Sequence, residues 1–405
     1  MNSAKPSARS SASTWRPAVG WVSPSARAAP DSEPSRTTAR NVRYNSQPGS
    51  GFTIQNRISY RSSSTIPLND TPVQNASIAT RIDWRTAMEQ TTRIALVLGA
   101  TGGIGGEMAR RLTAHGWRVR ALHRDPDALA HRDPAFEWVR GDAMVRDDVV
   151  AAARGAAVIV HAVNPPGYRN WAKLVLPMID HTIAAARACG ARVVLPGTVY
   201  NFGPDAFPVL CETSAQQPLT RKGKLRAELE RRLRAAADDG VRSLIVRAGD
   251  FFGPDARSNW FAGGLVRPGQ PVRAVTYPGA RGIGHQWAYV PDVAETMLRL
   301  LEQDDRLPTF AVYHMRGHWD ADGTQMAGAI RRAVGRPIHT RRFPWWALPL
   351  MAPFSVLMHE LREMRYLWRQ PIRLDNAKLV RTLGAEPHTP WDDAVRTTLR
   401  GLRCL

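Results

Sequence analysis

Hydrophobic positions divide this chain at about residue 88. Before that point Ser, Arg, Pro, Thr and Asn dominate, and no apolar periodicity lasts two helical turns. Nothing there can bury a core. Beyond it, short unbroken apolar runs alternate with stretches of helical spacing. The run from Ile94 to Leu98 has the composition and length of a strand. Ile104, Met108 and Leu112 then share one helical face, and His115 and Gly116 end the pattern. Further strands are expected at 118–122, 136–140, 157–162, 192–195 and 243–247, with a long helix over 171–188. The run at 157–162 is apolar almost throughout, as a strand covered on both faces must be. Six such strands with helices between them predict an α/β fold, a Rossmann-type doubly wound parallel sheet.

The C-terminal third is less regular. Residues 343–354 are apolar but carry three prolines, too short and interrupted a stretch to span a bilayer. Phe354, Leu357, Met358, Leu361, Met364 and Trp368 form a helical stripe, which packs as core or walls a substrate pocket. Closing helices are expected at 376–383 and 391–402. The organisation read from this pattern has three parts. Residues 1–87 are a disordered extension or a start-site artefact, since Met88 runs straight into the first strand. An organelle-targeting peptide is the third reading of that Arg-rich, Ser-rich, acid-poor stretch. Residues 88–254 are the nucleotide-binding core, and 255–405 are a mixed region that completes the sheet and forms a small substrate lobe.

Charge changes this picture little. The formal net charge is +20, of which eleven Arg or Lys against four Asp or Glu before Met88 supply +7. The basic residues are mostly Arg, spread over many segments without an aromatic-interleaved cluster. They read as a solvated surface plus an anionic cofactor site, with no nucleic-acid partner expected. Cys189, Cys211 and Cys404 show neither metal-ligand spacing nor an even disulfide set. That suits a reducing, cytoplasmic compartment and gives no sign of a metal.

The candidate chemistry starts at Gly99, Gly102 and Gly105, between the first strand and the first helix. Strand, glycine turn, helix is the context a nucleotide-binding motif needs. A side chain at Gly99 or Gly102 would keep the backbone from a pyrophosphate, and Gly105 would let the helix sit close on the strand. The helix start then offers free amides and a partial positive charge to the phosphates. The Gly-x-x-Gly-x-x-Gly spacing, with Thr101 inside it, resembles the extended and atypical branches of the short-chain dehydrogenase/reductase family, the NAD-dependent epimerase/dehydratase-like members. Other matches follow in order. Residues 157–162 resemble the strand that passes under the cofactor. Residues 247–254, from Arg247 to Pro254, look like the family's Arg-x-x-x-x-aromatic-Gly-Pro turn. Residues 287–294 resemble a later signature, where the chain returns to the sheet before a helix.

The resemblance runs from about Ile94 to Leu300 and implies a cofactor site. Gly99, Thr101, Gly102, Gly103, Ile104 and Gly105 would hold the pyrophosphate. NAD-using relatives often place a carboxylate just past the second strand, where this chain has His123 and Arg124. A cation there would pair with a 2′-phosphate, so NADP is favoured and NAD is the second choice. Asp142 matches the residue that bonds the adenine in similar proteins, with an ordinary turn aspartate as the plain alternative. Ala162 would lie beside the cofactor.

The family's reaction uses a Tyr that moves the alcohol proton, a Lys four residues later and a Ser or Thr on the fifth strand. Here Lys224 and Glu228 keep the Lys-x-x-x-Glu spacing, but Thr220 stands four residues before Lys224, and Pro196 stands at the hydroxyl position. The candidate catalytic residues are Lys224, Thr198 and Tyr200, with Lys222 as a second cation able to lower a hydroxyl's pKa. Residues 220–224 also read as a cationic patch, and Lys222 alone as a solvated charge at a helix start. The expected function is an NAD(P)-dependent oxidoreductase or epimerase-like enzyme on a small carbonyl or sugar-like substrate. Many relatives dimerise through two sheet-flanking helices, so a homodimer is anticipated, without a membrane partner. The alternative is a non-catalytic NADP-binding regulator resembling the NmrA-like proteins, which the missing Tyr favours.

Overall fold

The computed structural model describes residues 93–165, 170–351 and 356–405. The reading of residues 1–87 and the Phe354 and Leu357 side chains of the apolar stripe lie outside the described residues. Strand β1 (Ile94–Leu98) leads into α1 (Gly103–Ala114), followed by β2 (Arg118–His123), β3 (Glu137–Arg140) and α2 (Arg146–Ala152). Next come β4 (Ala156–His161), α3 (Trp171–Cys189), β5 (Arg192–Gly197), the short β6 (Val209–Leu210), α4 (Arg221–Asp238) and β7 (Ser243–Arg247). The chain continues through β8 (Asp250–Phe252), β9 (Ala274–Tyr277), β10 (His285–Tyr289), α5 (Val290–Leu301), β11 (Phe310–His314) and β12 (His318–Asp320). It ends with α6 (Gln325–Val334), β13 (His339–Arg342), α7 (Val356–Glu363), β14 (Arg373–Leu374), α8 (Ala377–Leu383) and α9 (Trp391–Gly401).

Seven parallel strands form the main sheet in the order β3-β2-β1-β4-β5-β7-β11. This is the doubly wound sheet expected, and its order reverses between β1 and β4. The period-2 alternation of a strand sorts its side chains onto two buried faces. Val97, Val160, Val194 and Val246 meet Met108 and Leu112 of α1 and Val293 and Met297 of α5. Leu96, Leu98, Ile159, Val193 and Ile245 meet Ile179 and Ile183 of α3 and Leu229 and Leu233 of α4. A third core gathers Phe252, Trp260, Tyr277, Trp287, Met364 and Trp368 from the chain after β7. Met364 and Trp368 of the stripe are therefore buried.

Two features differ from the sequence expectation. A seventh strand, β11, extends the sheet beyond β7; its apolar run at Phe310–His314 is too short to stand out by periodicity. The signature at residues 287–294 does not return to the main sheet. Its strand β10 pairs parallel with β8 and antiparallel with β12 in a separate three-stranded sheet. The chain leaves β7 and resumes as β8 after two residues, and β10 follows that resumed strand. Among the described residues, no helix is long and apolar enough to cross a membrane.

Candidate functional site

The reversal of strand order sets a crevice between the C-terminal ends of β1 and β4, the place where an open α/β sheet takes its ligand. Gly99 follows β1 at φ +91°. A Cβ there would lie 2.6 Å from the Ala162 carbonyl oxygen. Neither the conformation nor the space admits a side chain. The Ala162 amide donates to the Leu98 carbonyl at 2.9 Å, and the Gly102 amide donates back to the Gly99 carbonyl at 2.9 Å. Gly99 thus makes room for the chain just past β4. Gly102 is the position open to a ligand: a Cβ there would meet only the Gly99 carbonyl, at 3.3 Å. Thr101 and Gly102 are exposed, Gly103 and Ile104 half-buried, and Gly105 buried with its would-be Cβ inside the Gly99 carbonyl. Gly102 caps α1 without a side-chain acceptor, and no acidic residue stands in the first turn. The first amides of α1 are left for an external anion. These residues fit a dinucleotide pyrophosphate.

His123 ends β2 half-buried, its Nδ1 accepting from the Asp125 amide at 3.0 Å. Arg124 beside it is exposed, and its carbonyl accepts from Arg140 at 3.1 Å. Asp142 Oδ1 accepts from the Met144 amide at 2.9 Å, which closes a turn after β3. Its other carboxylate oxygen takes no part in that turn.

Helix α4 carries the lysine-bearing segment, and packing sets its rotation. Thr220 is the N-cap: its Oγ1 accepts from the Gly223 amide at 3.0 Å. The hydroxyl in the tyrosine's place is therefore occupied in starting the helix. Lys224 is exposed. Glu228, one turn on, bonds Arg231 and Arg232, which hold its carboxyl down to about 2. Lys222 stands about 200° round the helix from Lys224 and is only 2% exposed. Its Nζ lies 6.0 Å from the Trp171 ring centre, and the Arg226 guanidinium lies 5.1 Å from the same ring. Trp171 opens α3, just after β4. Arg226 also reaches Asn164 Oδ1 at 3.4 Å. Burial and the Arg226 charge push His161, the last residue of β4, down to about 3. Thr182 Oγ1 donates to the Met178 carbonyl at 3.0 Å, so at the 2.8 Å contact it accepts from His161 Nδ1.

The cationic wall beside β4 is thus Lys222 and Arg226. Lys224 is turned away from it, and Lys222 is not a solvated charge. Arg226 and Glu230 have the same spacing as Lys224 and Glu228. Glu230 is the buried acid of the two. Gly223 allows the contact that fixes the rotation: a Cβ there would overlap the Tyr200 carbonyl and lie 2.6 Å from Pro218 Cβ. The start of α4 therefore rests on the turn at Val199–Asn201.

Thr198 and Tyr200 are half-buried and line a small cavity against residues 248–251. A ring of polar contacts holds Thr198. Thr198 Oγ1 meets Asn201 Oδ1 at 3.4 Å, Asn201 donates to Gln216 at 3.0 Å, and Gln216 donates to Glu230 at 2.8 Å. Glu230 pairs with Arg247 at 2.6 Å, and Arg247 returns to the Thr198 carbonyl at 2.5 Å. Arg247 Nε also donates to His314 Nε2 at 3.2 Å, while His314 Nδ1 meets the Leu210 carbonyl at 3.2 Å. Burial and the Arg247 charge hold His314 down to about 3, so it is neutral and accepts. The sequence marked Arg247 only as part of a turn; its partner lies on another element, and no local spacing signals the pair.

Residues 95–315, more than half of the chain, match the model of the NAD dependent epimerase/dehydratase family. The chain is 30% identical over 165 residues to the ceramide reductase of Caulobacter vibrioides (strain NA1000 / CB15N), over 40% of this chain and 47% of that protein. It thus spans about half the length of that curated relative. Among solved structures it is similar to a UDP-glucuronic acid 4-epimerase from Bacillus cereus in complex with NAD, with a TM-score of 0.61 and 14% identity over 76% of this chain and 96% of that one. It is also similar to MoeE5 in complex with UDP-glucose and NAD, with a TM-score of 0.59 and 20% identity over 77% and 98%. These likenesses show the fold.

Proposed function

We propose that this chain, which belongs to the NAD dependent epimerase/dehydratase family, is an NAD(P)-dependent oxidoreductase that interconverts a ketone and a secondary alcohol. One observation carries the reading: Lys222 and Arg226 stand buried or half-buried at the end of β4, on the side of the helix that meets Trp171. A dinucleotide held there would supply the hydride chemistry. The chain's own residues do the rest. The open start of α1 would hold the pyrophosphate, and Arg124 would pair with a 2′-phosphate, which favours NADP. As the carbonyl carbon gains its hydride, the oxygen gains a proton from Tyr200, with Thr198 as the second hydroxyl. Solvent restores that proton. The positive charge of Lys222 sits on the helix start whose Gly223 lies against the Tyr200 carbonyl. Tyr200 packs against the aromatic third core, around Trp260 and Trp368. That apolar setting, with the likeness to a ceramide reductase, directs the reading to a ketone on a ceramide-class lipid. Nucleotide sugars, the ligands of the fold neighbours, are the other class. A cytoplasmic setting accords with the free Cys189, Cys211 and Cys404.

A second reading, the NADP-binding regulator, is favoured by Thr220, whose hydroxyl is held by the Gly223 amide. The test separates the two. Calorimetric titration with NADPH and NADH, beside Arg124→Ala, is followed by turnover assays on a keto-ceramide and on UDP-glucose. The enzyme reading expects NADPH binding that weakens about tenfold in the variant, a loss of roughly 1.4 kcal/mol, and turnover of one substrate: NADPH oxidised by the keto-ceramide, or UDP-glucose oxidised with NADP⁺ or epimerised without net redox change. Binding without turnover of either substrate supports the regulator. Binding of neither nucleotide removes the cofactor from both readings.

A further inference from the structure

We propose that Asp292, His318 and His388 form a site for a zinc-class divalent metal ion. Asp292 lies in the first turn of α5, His318 in β12, and His388 just before α9. One ligand atom from each lies within 4.8 Å of the others. The three are far apart in sequence, so no Cys/His spacing announces them.

The decisive atom is His318 Nδ1. The His318 side chain is 1% exposed, and its Nε2 donates to the Thr389 carbonyl at 2.7 Å. Nδ1 is then the unprotonated nitrogen, buried and without a hydrogen-bond partner. A buried lone pair with nothing to accept is costly. An imidazole pinned through its far N–H to a backbone carbonyl is how proteins aim a ligating nitrogen. Burial holds this ring down to about 4, so it is in the neutral, ligating form at neutral pH.

Thr389 orients a second ligand as well. Its amide and hydroxyl donate to Asp292 at 2.8 and 2.6 Å. Each carboxylate oxygen keeps a further lone pair. Burial raises the Asp292 pKa, and a dication would hold it ionised. His388 directly precedes Thr389, with its ring centre 4.4 Å from that of His318. It is exposed and opens on a cavity of about 360 Å³ whose wall includes His318, Glu386 and Trp391. Glu386 is engaged by the amides of Arg316 and Gly317 and by Asn376. A fourth position is thus left to water or a small ligand from the cavity. Two imidazoles and one carboxylate suit zinc and exclude the all-oxygen preference of magnesium and calcium. The ion would join the segment before α9 to β12 and α5, and α5 is tied to α1 by the Arg111–Glu295 pair at 2.9 Å.

The experiment is calorimetric titration of chelator-treated full-length protein with Zn²⁺ and with Mg²⁺, repeated with Co²⁺ under visible absorption. The proposal expects one Zn²⁺ per chain at micromolar affinity or tighter, no comparable Mg²⁺ binding, and four-coordinate cobalt bands. His388→Ala, at an exposed position, should keep the wild-type melting curve and weaken Zn²⁺ at least 100-fold. His318→Gln should do the same, and if it does not fold, His388→Ala decides alone. Absence of saturable one-to-one binding, or wild-type affinity in His388→Ala, overturns the site.

Discussion

Changing Glu230 to glutamine removes the counter-charge of a buried guanidinium while keeping the shape of the side chain. Arg247 is 1% exposed and the Glu230 side chain 7%. Glu230 Oε2 accepts from both Arg247 and Gln216. A glutamine can set its carbonyl oxygen at that position and still accept from both donors, so what it removes is the counter-charge. Breaking a buried pair from one side costs about 3–5 kcal/mol. Arg247 keeps the Thr198 carbonyl and His314 Nε2 as acceptors, so the lower end, about 3 kcal/mol, is expected. For a domain of this size that is a fall in Tm of roughly 5 °C. Urea unfolding and calorimetry at pH 7 measure it. Replacing both partners, Glu230→Leu with Arg247→Met, should recover much of the loss, because the uncompensated charge is gone. A loss below about 1 kcal/mol in Glu230→Gln, against the cost of an orphaned buried charge, would refute the argument that this pair anchors Thr198.

Three further outcomes are expected. His161 and His314 are held at about 3 and His318 at about 4, against an ordinary 6.5. The unfolded chain therefore binds more protons between those values, and stability falls as pH drops below about 6.5. At pH 5 each histidine costs roughly 2 kcal/mol and the three together about 6; metal-free melts at pH 7, 6 and 5 that coincide would contradict this. Gly99→Ala, at φ +91° and against the Ala162 carbonyl, should lose at least about 2 kcal/mol and its NADPH affinity, and wild-type values for both would show the turn is not tight. Lys222→Met should cut turnover and NADPH binding tenfold or more while Lys224→Met leaves both near wild type; the reverse order would mean that α4 is rotated otherwise.

The strand at Ile94–Leu98, the glycine turn and the helix after it were legible because each is encoded locally. An unbroken apolar run, a left-handed turn and a 3.6-residue period lie within some twenty residues of one another. The same holds for β4, whose two covered faces leave no polar position to alternate with. The strand β11 was not legible, because five residues of mixed character carry no period. The placement of β10 was not legible either, because it depends on where the chain breaks between β7 and β8.

The sequence by itself determined the doubly wound sheet, the glycine turn at the end of β1 and the departure from the usual tyrosine. It left Lys222 and Lys224 both open as the cation of α4. Tertiary packing chose Lys222 and Arg226, because the helix start rests on the Val199–Asn201 turn and the Glu230 carboxylate must meet the buried Arg247. The same packing brings together Asp292, His318 and His388. Periodicity states which face of an element is apolar, but not what that face will touch. Pairs far apart in the chain become partners only when the core closes and leaves a buried charge or lone pair that must be met.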